Sequence, residues 1–250
     1  TIEIKALARE PGQRTKIAVS SIDSKVDAVG ACVGVRGSRI KNIVEELGGE
    51  KIDIVRWNES SKIFIMNALK PAEVAEVALC FELGRATGVG KEDQLSLAIG
   101  RKGQNVRLAA RLTGWDVDIL TPTEYQSNVE RLERTLMQVE GMSKELFDRV
   151  IALGLIDVRD IEEVGEGPLM EHIGVSEEMA ESMVDGCIEE AKIVLKEQEE
   201  KERAKRALAA SGGAALVTSA RADGSVPVAT PDLLAAVGVT TPEPAIEAAK

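Results

Sequence analysis

Two four-residue segments have the residue types to hold an anion without any reactive side chain: Gly34-Val35-Arg36-Gly37 and Gly100-Arg101-Lys102-Gly103. Each lies between two stretches of helical pattern. Glycine has no Cβ and tolerates positive φ, so a Gly-x-x-Gly turn lets a phosphate come close to the main chain. The helix that starts after the turn offers unpaired N–H groups and the positive end of its dipole. Arg36 adds charge inside the first turn, and Arg101 and Lys102 add it inside the second. Arg39 and Lys41 continue the polar surface of the first copy; Gln104, Asn105, Arg107 and Arg111 continue that of the second. One such turn is weak evidence, because glycine pairs end helices in many folds. Two in matching surroundings are far stronger.

The elements that must position these turns recur as a unit. Ile2, Ile4, Ala6 and Ala8 alternate with other residues as in a strand over 2–9, Pro11-Gly12 marks a turn, and 14–20 returns as a second strand. A short helix is expected over Val26–Cys32. A second begins at Ser38, with Ile40, Ile43, Val44 and Leu47 forming one apolar stripe. Gly48-Gly49 stops it, and Lys51–Trp57 is a strand. The pattern then repeats: a helix near Ser61–Leu69, a strand near Val74–Glu82, a weak strand, and a short helix Gln94–Ile99 capped by Asp93. After the second turn come a helix over Gln104–Thr113 and a strand over Asp116–Leu120. Gly34 to Gly100 and Gly37 to Gly103 are both 66 residues, while the closing strands Ile52-Asp53-Ile54 and Val117-Asp118-Ile119 are offset by 65. This internal repeat defines the fold unit.

The chain has 250 residues and a net charge of −11. That average hides a split. Residues 1–125 hold 18 basic and 17 acidic residues, a net +1, whereas the remainder holds 13 and 25, a net −12. The halves therefore call for different partners. Aromatic content of 2% argues against base stacking on rings as the main means of recognition. Cys32, Cys80 and Cys187 are too far apart for a C-x-x-C pair, so a disulfide scaffold and a zinc site are both unexpected and a reducing cytoplasm fits. No membrane span or signal peptide is evident. The chain begins at Thr1 inside a strand-like run, as a fragment or processed product would.

Residues 130–196 are helical in pattern and contain a shorter repeat: Val139-Glu140-Gly141-Met142-Ser143 and His172-Ile173-Gly174-Val175-Ser176 are offset by 33. Each precedes a helix with acidic residues in its first turn, where they suit the helix dipole. A final helix from Val184 to about Ala209 ends in a charged run with Glu197/Lys201, Glu199/Arg203 and Glu202/Arg206 at i,i+4. It has no apolar face and is expected to project into solvent. Residues 211–250 lack periodicity and are expected to be disordered.

Helix, Gly-x-x-Gly, helix, strand is the core of the KH module, whose loop clamps the backbone of about four nucleotides. Two strands ahead of the helices resemble the type II order. More narrowly, VDAVGACVGVRGSRIKNIVEELGGEKIDIV (26–55) and DQLSLAIGRKGQNVRLAARLTGWDVDI (93–119) resemble the first and second KH modules of the bacterial transcription termination/antitermination factor family NusA. Residues 130–196 resemble the acidic helix-hairpin-helix repeats of some members. The resemblance implies an α+β fold: KH modules at 1–58 and 59–124, an all-α repeat region at 130–196, a charged helical extension at 197–210 and a disordered tail at 211–250. It implies single-stranded RNA, as nascent transcript, and RNA polymerase as partners of a cytoplasmic monomer that modulates pausing, termination and antitermination. No cofactor or metal is implied. Bases would rest in an aliphatic groove with Ala31, Ile40 and Ile54 as lining. The family's N-terminal polymerase-binding and OB-type domains have no counterpart in these residues. Ala86-Thr87-Gly88-Val89-Gly90 is glycine-rich where the family has a stronger strand, so a short or irregular edge is expected there.

Two other functions compete. Enzymatic chemistry lacks a P-loop, a metal-ligand cluster or a triad. His172 is the sole histidine, and Glu45-Glu46 and Glu162-Glu163 fall on helix faces as solvated charge. A protein-interaction scaffold is the stronger rival: the acidic repeats could bind polymerase or fold back over the basic KH face. Trp57 and Trp115 flank the closing strands and are expected to pack in cores.

Overall fold

The expected hairpin forms, with β1 (Ile2–Glu10) antiparallel to β2 (Arg14–Ser21), but a register shift between Ile4 and Ala6 breaks the alternation and puts Ile4 on the face opposite Ala6 and Ala8. A helix α1 (Ala28–Val33), a single 3₁₀ turn (Val35–Gly37) and α2 (Ser38–Glu46) lead to β3 (Lys51–Arg56), which joins β2 in parallel. The second copy repeats this order. α3 (Ser61–Ala68) precedes β4 (Glu76–Cys80) and β5 (Arg85–Val89); α4 (Glu92–Ile99), a 3₁₀ turn (Arg101–Gly103) and α5 (Gln104–Thr113) lead to β6 (Asp116–Leu120). Both sheets have three strands with the hairpin strand in the middle, β1-β2-β3 and β4-β5-β6. This computed structural model describes the backbone of residues 1–217 and the side chains of 1–209. Thr1–Leu195 form one compact unit, and a second begins at Lys196.

Alternation gives each sheet two faces, and both are used. In the first sheet Ala8, Ala18 and Val55 share a face and join a core with Phe64, Ile65 and Leu69 of the α3 segment and Leu108, Ala109 and Leu112 of α5. The core thus belongs to both copies. Lys16 is fully buried beside it; its ammonium donates to Asp53 Oδ2 at 3.0 Å and to the Lys70 carbonyl at 3.1 Å, and burial pushes its pKa down. Glu50 fastens the turn end of the hairpin. Its buried carboxylate accepts from Arg9, from the Thr15 hydroxyl and from the Gly12 N–H, which together hold its pKa down at about 2.

Two local expectations change. β5 is a paired, buried central strand rather than an irregular edge. Gly88 fits closely there: a Cβ would stand 3.0 Å from Ile119 Cδ1 and 3.2 Å from Val74 Cγ1, so those side chains would have to shift. Lys91, not Asp93, is the cap position of α4, and Asp93 lies in the first turn. The stripe on α2 is also less covered than its pattern implies: Ile43 is 45% and Leu47 39% exposed. On α5 the counterparts Val106, Ala110 and Thr113 are half-buried and Ala109 is buried, because α3 and the first hairpin pack around that helix.

Past β6 the chain is helical. α6 (Pro122–Leu136) starts with a reciprocal Thr121–Glu124 capping box. α7 (Lys144–Ala152) is capped by Ser143, α8 (Val158–Val164) by Asp157, and the Ser176 hydroxyl accepts from Met179 N at the start of α10 (Glu177–Val217). Between α8 and α10, α9 (Glu166–Pro168) runs into a π turn, Leu169–Ile173. Each Gly-x-Ser of the short repeat therefore supplies a serine cap. These helices pack on the second sheet's other face, where Cys80 joins their core and Arg85 donates to Asp160 and Glu163, both at 2.6 Å. Gly154 (φ 83), in the α7–α8 turn, abuts β4 so closely that a Cβ would lie 2.1 Å from the Leu79 oxygen. His172 Nε2 lies 2.9 Å from Glu82 Oε1.

α10 continues to Val217, past the expected end near Ala209; the tail expected from 211 therefore begins as helix, and from 218 on it lies outside the described residues. From Lys196 to 209 the side chains are almost all exposed, and Glu202 sits 4.0 Å from Arg206. No helix among the described residues is long and apolar enough to cross a membrane.

Two outcomes follow. Gly154→Ala must push α7 and α8 off β4 and should cost roughly 2 kcal/mol or more in urea unfolding. Glu50 is a depressed carboxylate, so its stabilisation is complete above its ordinary value of 4.5 and is lost as pH falls toward about 2. Glu50→Gln should lower the melting temperature at neutral pH and flatten that acid limb.

Candidate nucleic-acid interface

The two turns have the same backbone. α1, capped by Asp27, ends at Gly34 (φ 75, ψ 173), and α4 ends at Gly100 (φ 75, ψ 175). The third position of each turn is left-handed although it is not glycine: Arg36 and Lys102 both have φ 53. Among the described residues they are the only two non-glycine residues with positive φ. That conformation costs about 1 kcal/mol or more for a residue bearing a Cβ. Gly37 (φ 77) and Gly103 (φ 72) follow in the N-cap positions of α2 and α5, and neither helix start receives a side-chain cap. The Ser38 and Gln104 N–H groups bond back to the Val35 and Arg101 carbonyls, and no side chain competes for the N–H groups that follow.

The leading glycines are fixed by contact as well as by φ. A Cβ on Gly34 would lie 2.8 Å from Arg39 Cγ, and one on Gly100 would lie 2.7 Å from Asn105 Cβ and 2.8 Å from Asn105 N. The trailing glycines are uncrowded, with nothing nearer than 3.8 Å. Their bare surface is what a phosphate needs.

The remaining expected residues divide. Val35, Arg36, Lys41, Arg101, Lys102 and Arg111 are exposed. Arg39 is exposed but bent back, donating to the Ala31 carbonyl at 2.6 Å. Three residues of the second copy are otherwise employed. Asn105 is fully buried; its amide donates to the Leu69 and Ala98 carbonyls at 2.9 and 3.0 Å, which fixes α3 and α4 to α5 and removes the side chain from a ligand's reach. Gln104 and Arg107 reach across to the first copy's hairpin and donate to Glu10 at 2.8 and 2.6 Å.

Ala31, Ile40 and Ile54 are each partly exposed beside the first turn. Beside the second, Leu97 is 47% and Ile99 37% exposed. Leu97 is the 66-residue counterpart of Ala31, a signal present in the repeat, and it gives this copy a larger apolar wall. Trp57 and Trp115 pack against the shared core; Trp115 also meets Phe81 edge-on at 5.1 Å between ring centroids.

Residues 1–57 match the NusA-like first KH domain and residues 61–127 the NusA-like second KH domain. The transcription termination/antitermination protein NusA of Halalkalibacterium halodurans is 48% identical over 145 residues, covering 58% of this chain and 36% of that protein. The NusA protein of Rickettsia conorii is 40% identical over 186 residues, 72% of this chain and 37% of the relative. That of Bacillus subtilis is 51% identical over 124 residues, 50% and 33% respectively. The chain spans little more than a third of the length of the curated relatives it matches.

If Asn105 is structural, Asn105→Ala removes the side-chain donor shared by the Leu69 and Ala98 carbonyls, of which Leu69 keeps the Ala72 N–H. It should cost about 1–3 kcal/mol in chemical denaturation, while RNA affinity measured well below the melting point stays within about twofold of the parent.

Proposed function

We propose that this chain, which belongs to the NusA family through its two KH domains, holds single-stranded RNA on its Gly34–Gly37 and Gly100–Gly103 turns and catalyses no reaction. The observation that carries this reading is the recurrence of one strained backbone at both turns, with Arg36 and Lys102 left-handed and each following helix uncapped. Strain kept twice at equivalent positions is best understood as a ligand requirement. Phosphates dock on the glycine surfaces and helix N–H groups. Arg36, Arg101 and Lys102 supply charge, and bases lie along Ala31, Ile40 and Ile54 in the first copy and Leu97 and Ile99 in the second. The relatives are named for transcription termination and antitermination; in this reading the RNA is a transcript, those are the processes affected, and RNA polymerase is the proposed protein partner.

The acidic helical block supports a scaffold role beside this one. It contacts the second sheet through Cys80, Arg85 and the β4 backbone, on the face opposite the one that carries α5. Such a seat leaves the turns clear and favours contact with another protein over masking of the RNA face.

Replacing Arg36, Arg101 and Lys102 with Asp should weaken binding of a fluorescein-labelled random single-stranded RNA by one to two orders of magnitude, with the circular dichroism spectrum unchanged; unchanged affinity would sink the proposal. With roughly four phosphates contacted, log K should fall with log salt at a slope near about −3, and a flat response would point to another ligand.

A further inference from the structure

The two turns share a backbone but not surroundings. In the first copy, Ser38 and Lys41 occupy the positions of Gln104 and Arg107, and Lys41 is exposed. In the second, both equivalent side chains converge on one carboxylate that comes from the other copy. Glu10 lies at the end of β1, where the hairpin turns. Its Oε1 accepts from Arg107 Nε at 2.6 Å and its Oε2 from Gln104 Nε2 at 2.8 Å. Gln104 also donates to Gln13 Oε1 at 3.1 Å, so both ends of the hairpin turn take part. The Glu10 side chain is only 14% exposed, whereas that of Arg107 is 44% exposed. The hydrogen bonds from Arg107 and Gln104 hold its carboxyl below the usual carboxylate range, so it is ionised at neutral pH.

Arg107 does not stop at Glu10. Its Nη1 donates to the Lys102 carbonyl at 3.2 Å, within the strained turn itself. A chain of contacts therefore runs from the first copy's hairpin through one guanidinium to the peptide that must stay left-handed. The planar, forked donor set of arginine suits such a bridge, because one side chain can serve two acceptors at fixed angles.

We propose that Glu10 is a positioning residue for the second turn: through Arg107 it braces the Lys102 peptide in its left-handed form and ties the turn to the first module. This rests on the RNA-holding role of the turns given above. Its consequence runs against simple electrostatics. Glu10 is an anion beside a phosphate site, so on charge alone its removal should tighten RNA binding. As a brace, its removal should loosen binding, because the unstrained turn no longer presents its N–H groups and Lys102 together.

The test uses the full chain and a fluorescein-labelled random single-stranded RNA. Glu10→Gln keeps the shape and removes the charge; affinity should fall roughly three- to tenfold, the scale of one charge-assisted hydrogen bond. Unchanged or tighter binding overturns the proposal. Glu10→Gln is then placed on a background in which Arg107 is Ala. No further loss is expected there, since Glu10 acts on the turn through Arg107. A further loss of the same size would mean that Glu10 acts through module packing, and would also overturn it. Glu10→Asp, which keeps the charge on a shorter arm, should recover only part of the affinity. Failure of the underlying RNA reading is distinct: there the Asp replacements at 36, 101 and 102 would leave binding intact.

Discussion

Close packing of α5 against the first sheet is the constraint on which the remaining arrangement depends. It is possible because the residues of β1 and β2 that meet the helix are small: Ala8 and Ala18 present methyl groups, and Leu108, Ala109 and Leu112 settle onto them. Larger side chains there would hold the helix off by ångströms and divide one core into two. Lys16 reinforces the junction by linking Asp53 of the first sheet to the Lys70 carbonyl that follows α3. Two modules that share a core keep their turns at a set spacing. Under the proposed role, a strand of RNA held at one turn would be presented to the other at high effective concentration.

Each turn is an exercise in what glycine permits and what its neighbours enforce. The leading glycine is enforced by the helix that follows, the trailing one by its dihedral angle, and the residue between pays for a left-handed backbone with no glycine to ease it. Interaction energy must come from the flanking helices and, in the second copy, from the first module's hairpin. The copies are therefore not interchangeable: Lys41 stands exposed in the first where Arg107 is tied to Glu10 in the second, and the second has the larger apolar wall.

Much of this was legible in the sequence because it is local. The 66-residue repeat, the glycines and the strand alternation specify two helix–turn–helix–strand units without any tertiary information, and the Gly-x-Ser segments mark the caps they form. What was illegible is long-range. Asn105 and Arg107 look alike as polar residues after a basic turn. One is buried under Leu69 and the other reaches Glu10, 97 positions away, and neither fact leaves a periodic trace. Gly88 misled for the same reason: its glycine answers to Ile119 on the adjacent strand rather than to its own segment. Leu97 was recoverable, since it stands where the repeat places Ala31.

The most direct measurement is photocrosslinking of 4-thiouridine-substituted single-stranded RNA to the full chain, followed by mass spectrometry of the linked peptides. If one strand is held by both turns, crosslinks will concentrate in residues 31–40 and 97–104, and a single RNA molecule will link to both. Crosslinks confined to the acidic helices of 144–195, or absent from both turns, would contradict it.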